Sequence, residues 1–127
     1  FKAIYDLRKQ GIYTGITAMP ILPFINDTKQ NVSELLKMAV DSGAQYVIPY
    51  FGVTLREGSR DYFYSMLDSN FPDIRAKYEK HYKDSYECNS PEAKALYELF
   101  YEEADRYGID TKMRFYEPKS NEQLALF

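Results

Sequence analysis

The sequence predicts an α/β fold built on a parallel sheet covered by helices, and three observations carry that prediction. Three times an amphipathic helical pattern runs into a glycine, before Gly11, Gly43 and Gly108, and an extended stretch follows. The stretches "IYTGITAMP" and "QYVIPYFG" are nearly continuous apolar runs rather than in/out alternations, which is how strands buried on both faces read. Helix and strand then alternate at the spacing of a helix-covered parallel sheet.

Each element has its own reason. In the first unit Ile4, Tyr5 and Leu7 supply apolar positions before Gly11, which suits a left-handed helix C-cap. In the second, Asp27 is placed to cap a helix, with Gln30 three residues on. Val32, Leu35, Leu36, Ala39 and Val40 then recur at helical spacing until Gly43 stops the run. The strand after it contains Pro49, which donates no ladder hydrogen bond and is therefore expected near the strand end or at a bulge. Two helical patterns follow, from about Ser59 to Ser69 and from Asp73 to about Lys83, split by Pro72. The last helix is expected to start at Ser90 with Pro91 at its first position and to bury Ala93, Leu96, Tyr97, Phe100, Ala104 and Tyr107, ending at Gly108. "YGIDTKM" then echoes "QGIYTGI" as a third strand.

The 127 residues, 45% hydrophobic and 28% charged, support one globular domain with a modest core. Residues 1–117 form that domain and residues 118–127 a polar, then apolar, tail. Lys, Arg, Asp or Glu interrupts every apolar run before it reaches spanning length, so no membrane partner and a cytoplasmic setting are expected. A formal charge of −3 argues against a broad phosphate-neutralising surface, although a local basic patch is compatible with it. Cys88 is the single cysteine, so an internal disulfide is impossible and no metal site is expected. The chain opens "FKAIYDLRKQG", already inside a helical pattern, and reads as a piece of something longer. Two or three strands cannot close a barrel, so an open sheet edge and self-association of the piece are expected.

Ligands of parallel sheets sit beyond the carboxyl ends of the strands, here "AMPILPFIND" and "PYFGVTLREGSR". Pro20 and Pro23 flank Ile21 and Leu22, either a stiff apolar ledge for a flat heterocycle or a rigid loop packed on its own domain. Arg56 and Arg60 are the best-placed cations for a substrate phosphate or carboxylate; their alternative partners are Glu57 and Asp61. His81 and the carboxylates Glu102, Glu103 and Asp105 show no catalytic pairing. Tyr78, Tyr82, Tyr97 and Tyr101 recur near helical spacing, which favours helix packing over base stacking. Cys88 reads as a partly buried loop thiol, with a redox or hydrogen-donor role as the alternative.

The run "LRKQGIYTGITAMPILPFINDTKQNVSELLKMAVDSGAQYVIPYFGVTLRE", with "RDYFY", "YECNSPEAKALY" and "EQLALF" after it, resembles the C-terminal half of radical SAM proteins of the spore photoproduct lyase-like, or DNA repair photolyase, group. The resemblance spans nearly the whole chain. It implies a fragment of a partial (β/α) barrel, with "PILPFIND" as the turn after the fifth strand and "YVIPYFG" as the sixth. It further implies that Pro20, Ile21, Leu22, Pro23, Tyr50 and Phe51 line the adenine pocket of S-adenosylmethionine, that the missing N-terminal half of the barrel is a partner, and that nucleic acid is a candidate substrate. The CxxxCxxC that holds the [4Fe-4S] cluster is absent from the chain, so both cofactors belong to the full-length parent, and this piece alone is expected to be inactive and cofactor-free.

A second function class comes from "QLALF". Gln123, Leu124, Leu126 and Phe127 resemble the pentapeptide by which many bacterial replication and repair proteins engage the sliding clamp. An extended tail carrying one amide and two large apolar anchors suits such a groove, and folding back onto the parent domain is the alternative.

Overall fold

The computed structural model describes residues 1–117. Its elements are, in order, α1 (Lys2–Lys9), β1 (Gly15–Ala18), α2 (Lys29–Asp41), β2 (Tyr46–Pro49), β3 (Gly52–Thr54), α3 (Ser59–Asn70), α4 (Ile74–Tyr82), β4 (Glu87–Asn89) and α5 (Ala93–Tyr107). The class is α/β, with one parallel and one antiparallel two-stranded sheet among the described residues. No helix among them is long and apolar enough to cross a membrane.

β1 and β2 pair in parallel, from Gly15 opposite Tyr46 to Ala18 opposite Pro49, with α2 as the crossover. Asp110 adds a parallel bridge to Tyr46, where Val47 N–H donates to its carbonyl at 2.9 Å and its own N–H donates to Gln45 at 3.3 Å. Three parallel segments therefore stand side by side in chain order, the third reduced to a single bridge. Ile109 packs on the core, but the following Thr111 and Lys112 supply no apolar side chain to hold a longer ladder in register. Pro49 closes β2 at its last position, where its missing N–H interrupts no interior ladder bond. Gly15 is required by close approach: a Cβ there would lie 2.4 Å from the Tyr46 ring.

α2 starts one residue later than its sequence suggests. Thr28 is the cap, its hydroxyl oxygen accepting from Asn31 N–H at 3.1 Å with an extended backbone. Asp27 is thereby released from capping and accepts a hydrogen bond from the Ser90 hydroxyl. Val32, Leu36 and Ala39 are buried, as the periodicity requires, while Leu35 and Val40 are half-buried. α5 follows a turn at Ser90–Ala93, in which the Ser90 hydroxyl oxygen accepts Glu92 N–H at 3.1 Å and its carbonyl accepts Ala93 N–H at 3.0 Å. Pro91 thus lies in that turn, just ahead of the helix. Leu96, Phe100 and Ala104 are buried, but Tyr107, expected on the same face, is exposed in the last turn, where Gly108 at φ 70° bends the chain away.

The chain packs around two cores. Ala18, Ile21, Val32, Leu36, Val47, Phe51, Leu96 and Phe100 are among the side chains of the first, between the parallel sheet, α2 and α5. Residues 52–89 form a second lobe, in which β3 and β4 pair antiparallel and α3 and α4 close over Leu55, Tyr64, Leu67, Tyr78, Tyr82 and Cys88. The two helical patterns split by Pro72 are α3 and α4. The sequence does not reveal the antiparallel pair, because strands of three residues, "GVT" and "ECN", are too short to show a period.

Candidate functional site

The loops after β1 and β2 meet at the carboxyl ends of these strands. Tyr50 N–H donates to the Ala18 carbonyl at 3.1 Å, and Ile21 N–H donates to the Tyr50 carbonyl at 3.0 Å. The sequence places six candidate ligand-wall residues here, and burial sorts them into two sets. Ile21 and Phe51 belong to the first core, where Phe51 is fixed edge-on against Tyr97 with ring centroids 4.6 Å apart. Pro23 is fully buried. Pro20 is exposed, and Leu22 and Tyr50 are half-buried, so these three supply the surface that a ligand could touch.

The loop between β1 and α2 is a wedge between the two cores. Ile21 points into the first, whereas Phe24 and Ile25 pack against the second. Phe24, at φ 63°, meets the Tyr78 ring edge-on at 5.7 Å. The Tyr78 hydroxyl, deep in the second core, donates to the Pro23 carbonyl at 3.0 Å, and the Tyr82 hydroxyl donates to the Asn89 carbonyl. The tyrosine spacing therefore does mark packing for Tyr78 and Tyr82, with hydroxyls bonded in the interior. Burial first, and neighbouring groups second, push both phenols up from their ordinary pKa. Burial likewise raises Tyr50, with the Glu87 charge adding to it, so its phenol remains a hydrogen-bond donor at neutral pH.

The two candidate cations are used differently. Arg60 folds inward, its Nη2 donating to the carbonyls of Leu55, Asp84 and Ser85 at 3.0 to 3.1 Å, while Nη1 stands 3.8 Å from the Asp84 carboxylate. It fastens α3 to the approach to β4, and its Nε and the Tyr64 hydroxyl are buried with no hydrogen-bond partner among the described residues. Arg56 is exposed and bonds the Tyr86 hydroxyl, which raises the arginine and lowers the phenol. Neither cation has an ion pair with Glu57 or Asp61 among the described residues.

Cys88 is buried, 3.6 Å from the Ser85 carbonyl, and burial raises its thiol. Among the described residues no three His, Cys, Asp or Glu side chains gather as a metal site. His81 is exposed and lies edge-on to Phe24 and Tyr82. Gln123, Leu124, Leu126 and Phe127 lie outside the described residues.

A cleft of about 380 Å³ lies at the other end of the strands, lined by Arg8, Gly43, Gln45, Gly108, Asp110 and Arg114. There α2 and α5 end, so the negative poles of two helices converge and the arginines offset them. That arrangement accounts for the charges without a ligand. Sequence reasoning missed Asn26, whose side chain accepts Leu22 N–H at 2.6 Å, and the Asp27–Ser90 bond, because "IND" before a helix reads as capping alone. Comparison with known protein families, curated proteins and solved structures finds no match for the chain.

Proposed function

We propose that residues 1–117 are the C-terminal part of a radical SAM (β/α) barrel and supply the adenine-side wall of its S-adenosylmethionine site. The observation that carries this is the meeting of the two post-strand loops at the carboxyl ends of sequential parallel strands, through Ala18, Ile21 and Tyr50. Pro20, Leu22 and Tyr50 fit such a wall: two rigid or apolar surfaces and one aromatic ring whose phenol stays protonated. On this proposal the cluster that drives reductive cleavage of S-adenosylmethionine would be held by a CxxxCxxC elsewhere in the barrel, since this sequence carries the single cysteine Cys88. The side of β1 that no described strand pairs is where the barrel's other strands, or a second copy of this chain, would add. Arg56, the exposed cation beyond β3, is the candidate contact to an anionic substrate such as nucleic acid.

Adenosine titration of the chain, followed by the resonances of Leu22 and Tyr50, tests the wall. Binding on the order of 1 mM is expected for a site holding one face of the ligand. Unchanged resonances at saturating adenosine would exclude the wall.

A second function is proposed for residues 120–127, carried by the "QLALF" motif: recruitment to a bacterial sliding clamp. The two functions are compatible in one protein.

A further inference from the structure

The ledge between β1 and α2 is held by its backbone, by polar groups from three directions. Leu22 N–H donates to the Asn26 side-chain oxygen at 2.6 Å, and the Leu22 carbonyl accepts from both Ile25 and Asn26 N–H at 3.2 Å. Asn31, in the first turn of α2, donates its side-chain amide to the Asn26 carbonyl at 2.9 Å. From α4 in the second lobe, the Tyr78 hydroxyl reaches the Pro23 carbonyl. Just before α5, the Ser90 hydroxyl reaches Asp27.

Leu22 is thus a half-buried side chain between two buried neighbours, Ile21 and Pro23, fixed at both its N–H and its carbonyl. Apolar burial in this loop comes from Ile21, Pro23, Phe24 and Ile25, and the backbone groups of Leu22, which need partners in any loop, take them from Asn26 and the turn that follows. The further bonds to Leu22 fix the angle at which it leaves the interior. Preorganisation of this kind gains affinity by removing the ordering cost of the contacting group.

We infer that Asn26 is a positioning residue for the ligand face made by Pro20, Leu22 and Tyr50, with Tyr78 as its support from the second lobe. The inference rests on the adenine-wall function proposed above. Asn26 acts through the Leu22 backbone and does not itself touch the ligand.

The test compares the wild-type chain with Asn26→Ala, Asn26→Asp and Tyr78→Phe, using adenosine as the probe, amide exchange at Leu22 and thermal unfolding. Asn26→Asp keeps the acceptor, whereas Asn26→Ala removes it. Adenosine affinity should fall about fivefold or more in Asn26→Ala and stay within about twofold of wild type in Asn26→Asp, with Tyr78→Phe between them. Leu22 exchange should rise in Asn26→Ala and be restored in Asn26→Asp. A lower melting temperature in Asn26→Ala with unchanged affinity and unchanged Leu22 exchange would overturn the inference, as would an Asn26→Asp variant as weak as Asn26→Ala. Should the wild-type chain not bind adenosine, the adenine wall and the ligand role of Asn26 both fail. Faster Leu22 exchange in Asn26→Ala would then mark a purely structural tie.

Discussion

Gly15 and Tyr46 face each other across the parallel pair so closely that the tyrosine ring occupies the place of a side chain on Gly15: a Cβ there would stand 2.4 Å from Cγ of the ring. The ring has little room to retreat, because Tyr13 packs against it at 5.2 Å and Arg114 lies over Tyr13 at 5.0 Å. Gly15→Ala should therefore destabilise the chain by about 1 to 3 kcal/mol, the usual cost of overpacking. Adding Tyr46→Ala should recover part of that loss. Denaturant unfolding of the two single variants and the double variant gives the coupling; strictly additive effects would mean that the ring moves aside freely.

Two cores joined by one wedge predict two regions of local stability. Leu67, on α3, lies in the second core, among Leu55, Tyr64, Tyr78 and Tyr82. Leu67→Ala should cost about 2 to 5 kcal/mol within its own lobe. Amide exchange should accelerate in α3, α4 and β4 and remain near wild type in α2 and β2. Uniform acceleration across both lobes would show that they unfold as one unit.

The helices and the parallel pair were legible because their signals are local: Val32, Leu36 and Ala39 recur at helical spacing, and "YVIP" lies in a mostly apolar run between Gly43 and Gly52. The wedge was not. Nothing in "PILPFIND" says that Ile21 and Phe24, three residues apart, enter different cores, since that depends on a lobe whose contacts come from residues 52–89. Arg60 shows the same limit. Its position beyond a strand suggested a ligand, but its guanidinium is claimed by carbonyls at positions 55, 84 and 85, two of them distant in sequence. Pattern reading locates the loop; tertiary partners decide which of its side chains remain at the surface.

Buried protonated groups give the chain a pH signature. The folded state raises the Tyr78 and Tyr82 phenols and the Cys88 thiol, through burial in each case. Each group is neutral when protonated, so the unfolded chain releases these protons at lower pH than the folded one. Their contribution to stability should be level below the unfolded thiol value of about 8.5 and fall as pH rises past it, more steeply past about 10, where unfolded tyrosine ionises. Urea midpoints measured across that range check the sign, and a midpoint that holds constant or rises would contradict it. Tyr78→Phe should lower stability near neutral pH yet flatten the alkaline fall, because it removes one of the groups that burial raises. Cys88 should also resist thiol reagents in the folded chain and react once urea unfolds it.

The "QLALF" motif yields a prediction independent of the fold. A peptide covering Ser120 to Phe127 carries one glutamine amide that can both donate and accept, with Leu126 and Phe127 as apolar anchors. Full burial of such anchors stabilises a complex by roughly 1.5 to 3 kcal/mol each, before the cost of ordering an extended chain is subtracted. With the Leu124 and glutamine contacts added to these two anchors, a reversible contact is expected, with a Kd on the order of 1 to 100 μM against a bacterial sliding clamp. Leu126→Ala combined with Phe127→Ala removes both anchors and should abolish measurable binding, whereas Ser120→Ala, outside the pentapeptide, should leave it unchanged. Calorimetry with the three peptides separates the outcomes. A wild-type peptide that does not bind, or a double variant that binds equally well, would leave Leu126 and Phe127 without a recruiting role.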